Sequence, residues 1–211
     1  MIIDYEIIQI YSCLSSITHR FSPVASQRNM FSYQIDENLK LVLPQRHHAE
    51  EMAAAVRENF DHLKLWVPWA TDDYSVDAAR EFIGKNLKRL AESGCFALNL
   101  VQDGKIVGSV GFHSLDSNNK SAHLGYWLVK EAQGEGLVTR GCRVLIDYLF
   151  DELKLNRIQI NCNVKNVKSR AIPERLGFQL EGIHRQVEFF DSRFGDWAIY
   201  AMLKQDWRKD I

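Results

Sequence analysis

The chain has 211 residues, 46% of them hydrophobic and 25% charged, with a formal net charge of −1. That length and balance suit one globular domain that buries its own core without a disulfide or metal. The near-neutral charge argues against nonspecific capture by nucleic acid or an anionic membrane, and no apolar run approaches the roughly 20 residues of a membrane helix.

Residues 1–29 look foreign to the rest of the chain. Asp4 and Glu6 stand where a secretory leader carries basic residues, and Gln9 and Ser12 break the apolar stretch. Met30 then opens a strand-like run. The chain therefore divides into an extension, 1–29, expected to be the least ordered part or not native, and a domain, 30–211. An extra element docked on the domain is the rival reading. Leu39 to Leu43 alternates as a half-buried strand does, and a helical stretch covers 46–61, with Ala49, Met52, Ala53, Val56 and Phe60 at core-facing spacing. An aromatic loop with Trp66, Pro68 and Trp69 leads to a helix over 76–92, capped by Ser75 and stopped by Gly94. Strands follow at 96–101 and 106–115, joined by the hairpin signal Asp103-Gly104. A strand at 122–129, a helix over 136–153, a strand at 157–164 and a short helix over 168–176 stopped by Gly177 come next. The tail alternates near 188–190 and 197–203, with a turn at 191–196. This order predicts an α/β (α+β) domain: a mixed sheet with helices on both faces.

The cysteines, Cys13, Cys95, Cys142 and Cys162, form no CxxC pair and have no histidine at zinc-finger spacing. Three sit in apolar patterns, so the protein reads as reduced, cytoplasmic and without a metal site. His47 and His48 are adjacent, point different ways on a helix and are poor metal ligands. The Lys85–Arg89 stretch reads as a solvated helix face, not a nucleic-acid patch.

Chemistry concentrates in 123–150. A strand ends near Val129, Gln133-Gly134-Glu135-Gly136 follows, and an amphipathic helix begins at once. The first N–H groups of a helix lack internal partners and, with the helix dipole, attract anions. Two glycines let the backbone come close to a phosphate. A tight turn that binds nothing is the bland alternative. The loop is no P-loop, since no Gly-Lys-Ser/Thr follows, and no GxGxxG, since position 139 is Thr.

The second constellation is the strand RIQINCNV, then Asn166 and Ser169 at a helix start and Gly177-Phe178 at its end. This closing Asn-x-x-Ser…Gly-Phe pattern resembles the GNAT acetyltransferase superfamily, and the 133–138 loop resembles that superfamily's pyrophosphate loop. Val138 departs from the usual Gly or Ala. Gly125-Tyr126-Trp127, Trp66-Val-Pro-Trp69 and the ending Met-Leu-Lys-Gln-Asp-Trp207 look like its Rim-type branch, which acetylates ribosomal-protein N-termini. The likeness covers 30–209.

The resemblance implies a GNAT fold with a splayed parallel strand pair, 122–129 and 157–164, and acetyl-CoA as co-substrate with no metal. Backbone groups of Trp127, Leu128 and Val129 would pair with the pantetheine arm. Gln133, Gly134, Glu135, Gly136, Leu137, Val138 and Thr139 would hold the pyrophosphate, and Asn166 the reactive end. Ser169 matches the position that protonates the departing thiolate; capping the helix is its bland alternative. A base must take the amine's proton, and an N–H near Leu128 would meet the oxyanion. Relatives often carry Glu where this chain has His123, whose pKa suits the task, although it could face solvent. Tyr126 lines the channel or, more in keeping with its strand, the core. Trp66, Trp69 and Phe112 are acceptor-groove candidates, with core packing the alternative. The expected acceptor is a protein N-terminus. Acetylation of a small amine (polyamine, drug or amino-acid analogue) and a non-catalytic acyl-CoA-binding module are the competing readings. No direct nucleic-acid or membrane partner is expected. Pairing of tail strands makes a homodimer an open option.

Overall fold

The computed structural model describes residues 31–207. The 1–29 extension and Cys13 lie outside the described residues. In chain order the elements are β1 (Ser32–Gln34), β2 (Leu39–Val42), α1 (Ala49–Glu58), α2 (Phe60–Leu63), α3 (Val76–Ser93), β3 (Ala97–Gln102), β4 (Lys105–Asp116), β5 (Ser121–Leu128), α4 (Leu137–Asp151), β6 (Arg157–Asn163), α5 (Val167–Arg175), β7 (Gln179–Phe190) and β8 (Arg193–Leu203). The strands form one sheet of order β1-β2-β3-β4-β5-β6-β8-β7. Among the described residues only β5 and β6 pair in parallel.

Strand alternation sorts the apolar residues into two layers. Leu41, Leu100, Val110, Leu124, Ile158 and Ile160 cluster with Cys142, Leu145, Ile146 and Leu149 of α4. Their oppositely pointing neighbours Val42 and Val101 join Ile106 under Met52 and Ala53 of α1 and Ala79 and Ile83 of α3. The sheet is thus covered on both faces, as its sequence pattern requires. Among the described residues no helix is long and apolar enough to cross a membrane.

Local signals held where local chemistry decides. The Ser75 side chain accepts the Ala78 N–H at 3.0 Å, and Gly94 closes α3 with φ of 73°. Asp103 and Gly104 take φ of 48° and 81°, the left-handed pair that a two-residue hairpin needs. The helix expected over 46–61 is instead broken in three. Residues 46–48 form a 3-10 turn, α1 stops at Glu58, and Asn59 (φ −110°) separates it from α2. The reason is tertiary: the buried Asn59 amide donates to Ala55 O at 3.0 Å, and its Oδ1 accepts the Lys130 N–H at 2.7 Å. His47 and His48 do not diverge, because the tighter turn brings their ring centroids to 4.0 Å. In the tail, β7 begins at 179, and the turn is only Asp191-Ser192, with φ of 50° and 56°. Most of β7 is exposed, so no core face imposed an alternating pattern there.

One side chain ties the two layers together. Asn86 of α3 is 0% exposed; its Nδ2 donates to Ala97 O at 3.0 Å and its Oδ1 accepts the Ala97 N–H at 2.8 Å. Asn86→Leu leaves both backbone groups of Ala97 without these partners. A loss of roughly 2–4 kcal/mol is expected. It should be read from a lowered denaturant midpoint at unchanged m-value.

The feature that positions the site is a failure of pairing. β5 meets β6 only at Ser121↔Arg157, Ala122↔Ile158 and His123↔Gln159. β5 stays paired to β4 as far as Leu128↔Gly108, and β6 stays paired to β8 as far as Asn163↔Trp197. The two parallel strands therefore part after His123 and leave a gap in the sheet.

Candidate active site

At the mouth of the gap stands the N-terminus of α4. Gly134 and Gly136 have φ of 92° and 73°, and a Cβ added to either would meet nothing within 4 Å. These glycines are needed for backbone conformation, not packing, and the space beside them is open to a ligand. Gly136 is the N-cap of α4, no side chain caps the helix, and its first turn carries no acid. Leu137 and Val138 are 1% and 5% exposed, so their side chains are core and only their backbone amides face the loop. Thr139 Oγ1 accepts from Arg175 Nη1 at 3.2 Å.

The loop is held from three sides. Asn59 fixes Lys130 through its Oδ1. Gln133 spans two elements, with Nε2 2.7 Å from His62 Nε2 on α2 and Oε1 accepting from Lys168 Nζ at 2.6 Å. Glu135 accepts from Gln102 at 2.6 Å. Asn59, His62, Lys168 and Arg175 were not singled out from sequence. A signal did exist for the last two: they stand seven apart on α5, one helical face, and they bring positive charge beside the loop. A hollow of about 280 Å³ lies nearby, lined in part by Glu58, Glu131 and Glu135. Its acidic rim is unsuited to phosphate, which favours the uncapped helix end instead.

The walls of the gap refine the expected backbone contacts. Val129 donates its N–H to Val107 O at 2.8 Å. The Trp127 carbonyl oxygen lies over Gly108, where a Cβ would sit 2.3 Å from it. Both groups face β4. By strand alternation the Leu128 backbone turns to the gap, although the His62 ring also hydrogen-bonds it. Trp127, Leu128 and Val129 are therefore not equivalent: Leu128 presents its N–H, while the donor of Val129 is engaged.

On the α4 and α5 side, three groups meet. Tyr126 donates its hydroxyl to Ser169 O at 2.9 Å, and Ser169 Oγ lies 3.3 Å from Tyr126 Oη and 3.2 Å from Cys162 Sγ. Burial pushes the Tyr126 hydroxyl well above its ordinary range and raises the Cys162 thiol, so both keep their protons at neutral pH. Asn166, not Ser169, caps α5: its Oδ1 accepts the Ser169 N–H at 3.1 Å. Tyr126 is half-buried against the core, and its polar end belongs to this cluster and not to the apolar core.

His123, Gly125 and Trp127 point to the opposite face of β5, toward α1 and α3. Trp69 is 43% exposed and stands edge-on to Trp127 at 5.8 Å, beside the gap. Trp66 is half-buried in the turn after α2. Phe112 corrects the expected groove. It is 2% exposed and packs edge-on to Phe96 at 4.9 Å in the layer under α4, so an acceptor cannot reach it.

Burial lowers the pKa of His48, His62, His113 and His123 below the usual 6.5, with Lys168 adding to the effect on His62 and Arg157 on His123. Below that value the unfolded chain binds more protons than the native one. Stability should therefore fall as pH drops below about 6.5. Thermal melts across pH 5 to 8 check this; a midpoint that does not fall between neutrality and pH 5 contradicts it.

An uncapped helix end with open space beside two glycines, a strand gap next to it and proton-holding hydroxyls along that gap are the arrangement that an acyltransferase using a long, phosphate-bearing acyl carrier requires. The family model described as "Acetyltransferase (GNAT) domain" matches residues 38–179. The chain is 37% identical over 179 residues to the Bacillus subtilis protein named "Putative ribosomal N-acetyltransferase YdaF", covering 84% of this chain and 98% of that one. It is 25% identical over 170 residues to the ribosomal-protein-serine acetyltransferase of Escherichia coli, covering 81% and 95%. Among solved structures, the microcin C7 self-immunity acetyltransferase MccE, in complex with acetyl-CoA and AMP, superposes with a TM-score of 0.77 at 29% identity over 80% of this chain and 94% of that one. The chain belongs to the GNAT acetyltransferase family and is an N-acetyltransferase.

Proposed function

We propose that this enzyme moves the acetyl group of acetyl-CoA to the α-amine of a protein N-terminus, with ribosomal proteins as the substrate class and the cytoplasm as its place of work. The observation that carries the proposal is the three-pair limit of the β5–β6 ladder, which opens a gap between the α4 cradle and the acceptor face. The names of the Bacillus subtilis and Escherichia coli relatives support the acceptor class.

Bound acetyl-CoA supplies the thioester. The amides of residues 134–139, with Lys168 and Arg175, hold its pyrophosphate, and Asn166 Nδ2, which has no partner among the described residues, serves the reactive end. The neutral amine attacks the thioester carbonyl and forms the C–N bond. His123 takes the proton that nitrogen loses. The Leu128 N–H meets the charge developing on oxygen. As the C–S bond breaks, Ser169 passes its hydroxyl proton to the sulfur and regains one from solvent, with the Tyr126 hydroxyl 3.3 Å away to steady its oxygen.

One observation favours a second acceptor class: MccE is a self-immunity acetyltransferase whose crystal structure holds AMP beside acetyl-CoA. A panel of peptides beginning with Ser or Ala, set against polyamines and nucleotide-linked amines, separates the readings through thiol release and product mass. Preference for peptides supports the proposal. Preference for small amines replaces it. Acetyl-CoA binding without thiol release over the panel sinks the enzymatic reading.

A further inference from the structure

The acceptor face holds a second imidazole. His113 of β4 is the direct cross-strand neighbour of His123, and their rings stand edge-on with centroids 5.7 Å apart. His123 is the last residue of β5 paired to β6, so the two rings mark the closed end of the gap. The His113 ring also leans along the strand. Its Cε1 would lie 3.6 Å from a Cβ on Gly125, ordinary contact distance, so the ring rests over that glycine. His113 is exposed, whereas His123 is half-buried. Solvent thus reaches His113, although its packed side is desolvated enough to lower its pKa.

The charged neighbours are cationic. Arg157 of β6 stands near His123, and Arg89 of α3 near His113. Arg157 is itself held by Glu181 of β7 at 2.5 Å. Among the described residues, the charges that act on the two rings are His123, Arg89 and Arg157. A proton on one imidazole is therefore unwelcome and raises the cost of a proton on the other, which favours rapid onward transfer.

We propose that His113 and His123 form a two-imidazole proton exit, in which His123 takes the proton from the attacking amine and His113 delivers it to solvent. This rests on acetyl transfer with His123 as the base. The proton moves from the new C–N nitrogen to His123, then to the neutral His113 ring directly or through one water, then to bulk water. No oxidant or further reactant is needed. His113 acts through His123 and touches neither substrate.

The test compares wild type, H113Q, H123Q and the double variant in steady-state kinetics across pH and buffer concentration, with acetyl-CoA affinity by calorimetry as a folding control. In H113Q, kcat should fall about 10-fold, with acetyl-CoA affinity unchanged and activity restored by rising imidazole buffer. H123Q should lose about 100-fold, and the double variant should lose no more than H123Q alone, because the two act in series. In imidazole NMR titrations without substrate, H123Q should raise the pKa of His113, since His123 lowers it in the native pair. H113Q with wild-type kcat and no buffer dependence overturns the exit while leaving the acetyl-transfer reading intact. So does strict additivity in the double variant. If wild type acetylates no amine at all, the reaction and the exit fall together, and the NMR coupling shows the pair as structure only.

Discussion

Gly134→Asp with Gly136→Asp is expected to weaken acetyl-CoA binding at least about 100-fold, roughly 2.7 kcal/mol, in calorimetry at fixed salt. The two positions have φ of 92° and 73°, and the space beside each is empty, so no packing is lost on substitution. Aspartate tolerates left-handed backbone better than most residues, so the variant should still fold. It nevertheless places two carboxylates where amides and the dipole of α4 would meet pyrophosphate. Loss of binding by a folded variant locates the phosphates on residues 134–139. Undiminished binding would reduce this loop to a tight strand-to-helix turn and move the cradle elsewhere.

Ser169→Ala should lower kcat about 100-fold while acetyl-CoA affinity changes little, the pattern of an interaction made mainly in the transition state. The substitution keeps the backbone N–H that Asn166 caps, so α5 should survive. What disappears is a hydroxyl within 3.3 Å of Tyr126 Oη and 3.2 Å of Cys162 Sγ. Tyr126→Phe keeps the half-buried ring and removes only its hydroxyl; a loss of about 10-fold is expected. If Ser169→Ala retains wild-type kcat while Tyr126→Phe does not, the proton for the leaving thiolate comes from the tyrosine. Single-turnover kinetics makes the comparison without interference from product release.

The elements legible in the sequence are those with a local cause. Ser75 caps α3 and Gly94 ends it, because a helix start needs an acceptor and a helix end a left-handed residue. Asp103-Gly104 turns because both positions accept positive φ. Gly134 and Gly136 marked the turn into α4 for the same reason. Where the cause is remote, the pattern was silent or misled. The 46–61 run is periodic throughout, yet it breaks at Asn59 because that amide reaches Lys130, 71 residues away. Phe112 and Trp69 are both aromatic, one within a strand run and one within a loop. Only the register of β4 puts one under α4, and only the loop after α2 leaves the other beside Trp127.

The same division separates the chemistry. By itself the sequence determined most of the order of elements, the two-faced sheet and a glycine-bearing turn into the helix at 137, since hydrophobic period and glycine placement act over a few residues. The run Ser-Ala-His-Leu-Gly-Tyr-Trp-Leu alternates alike whether or not β6 lies alongside it. Only the tertiary structure decided that β5 and β6 part after His123, that Tyr126 meets Ser169 and Cys162, and that His113 overhangs Gly125. Those contacts join segments distant in the chain, and their partners are chosen by strand register and helix packing, which no local pattern encodes.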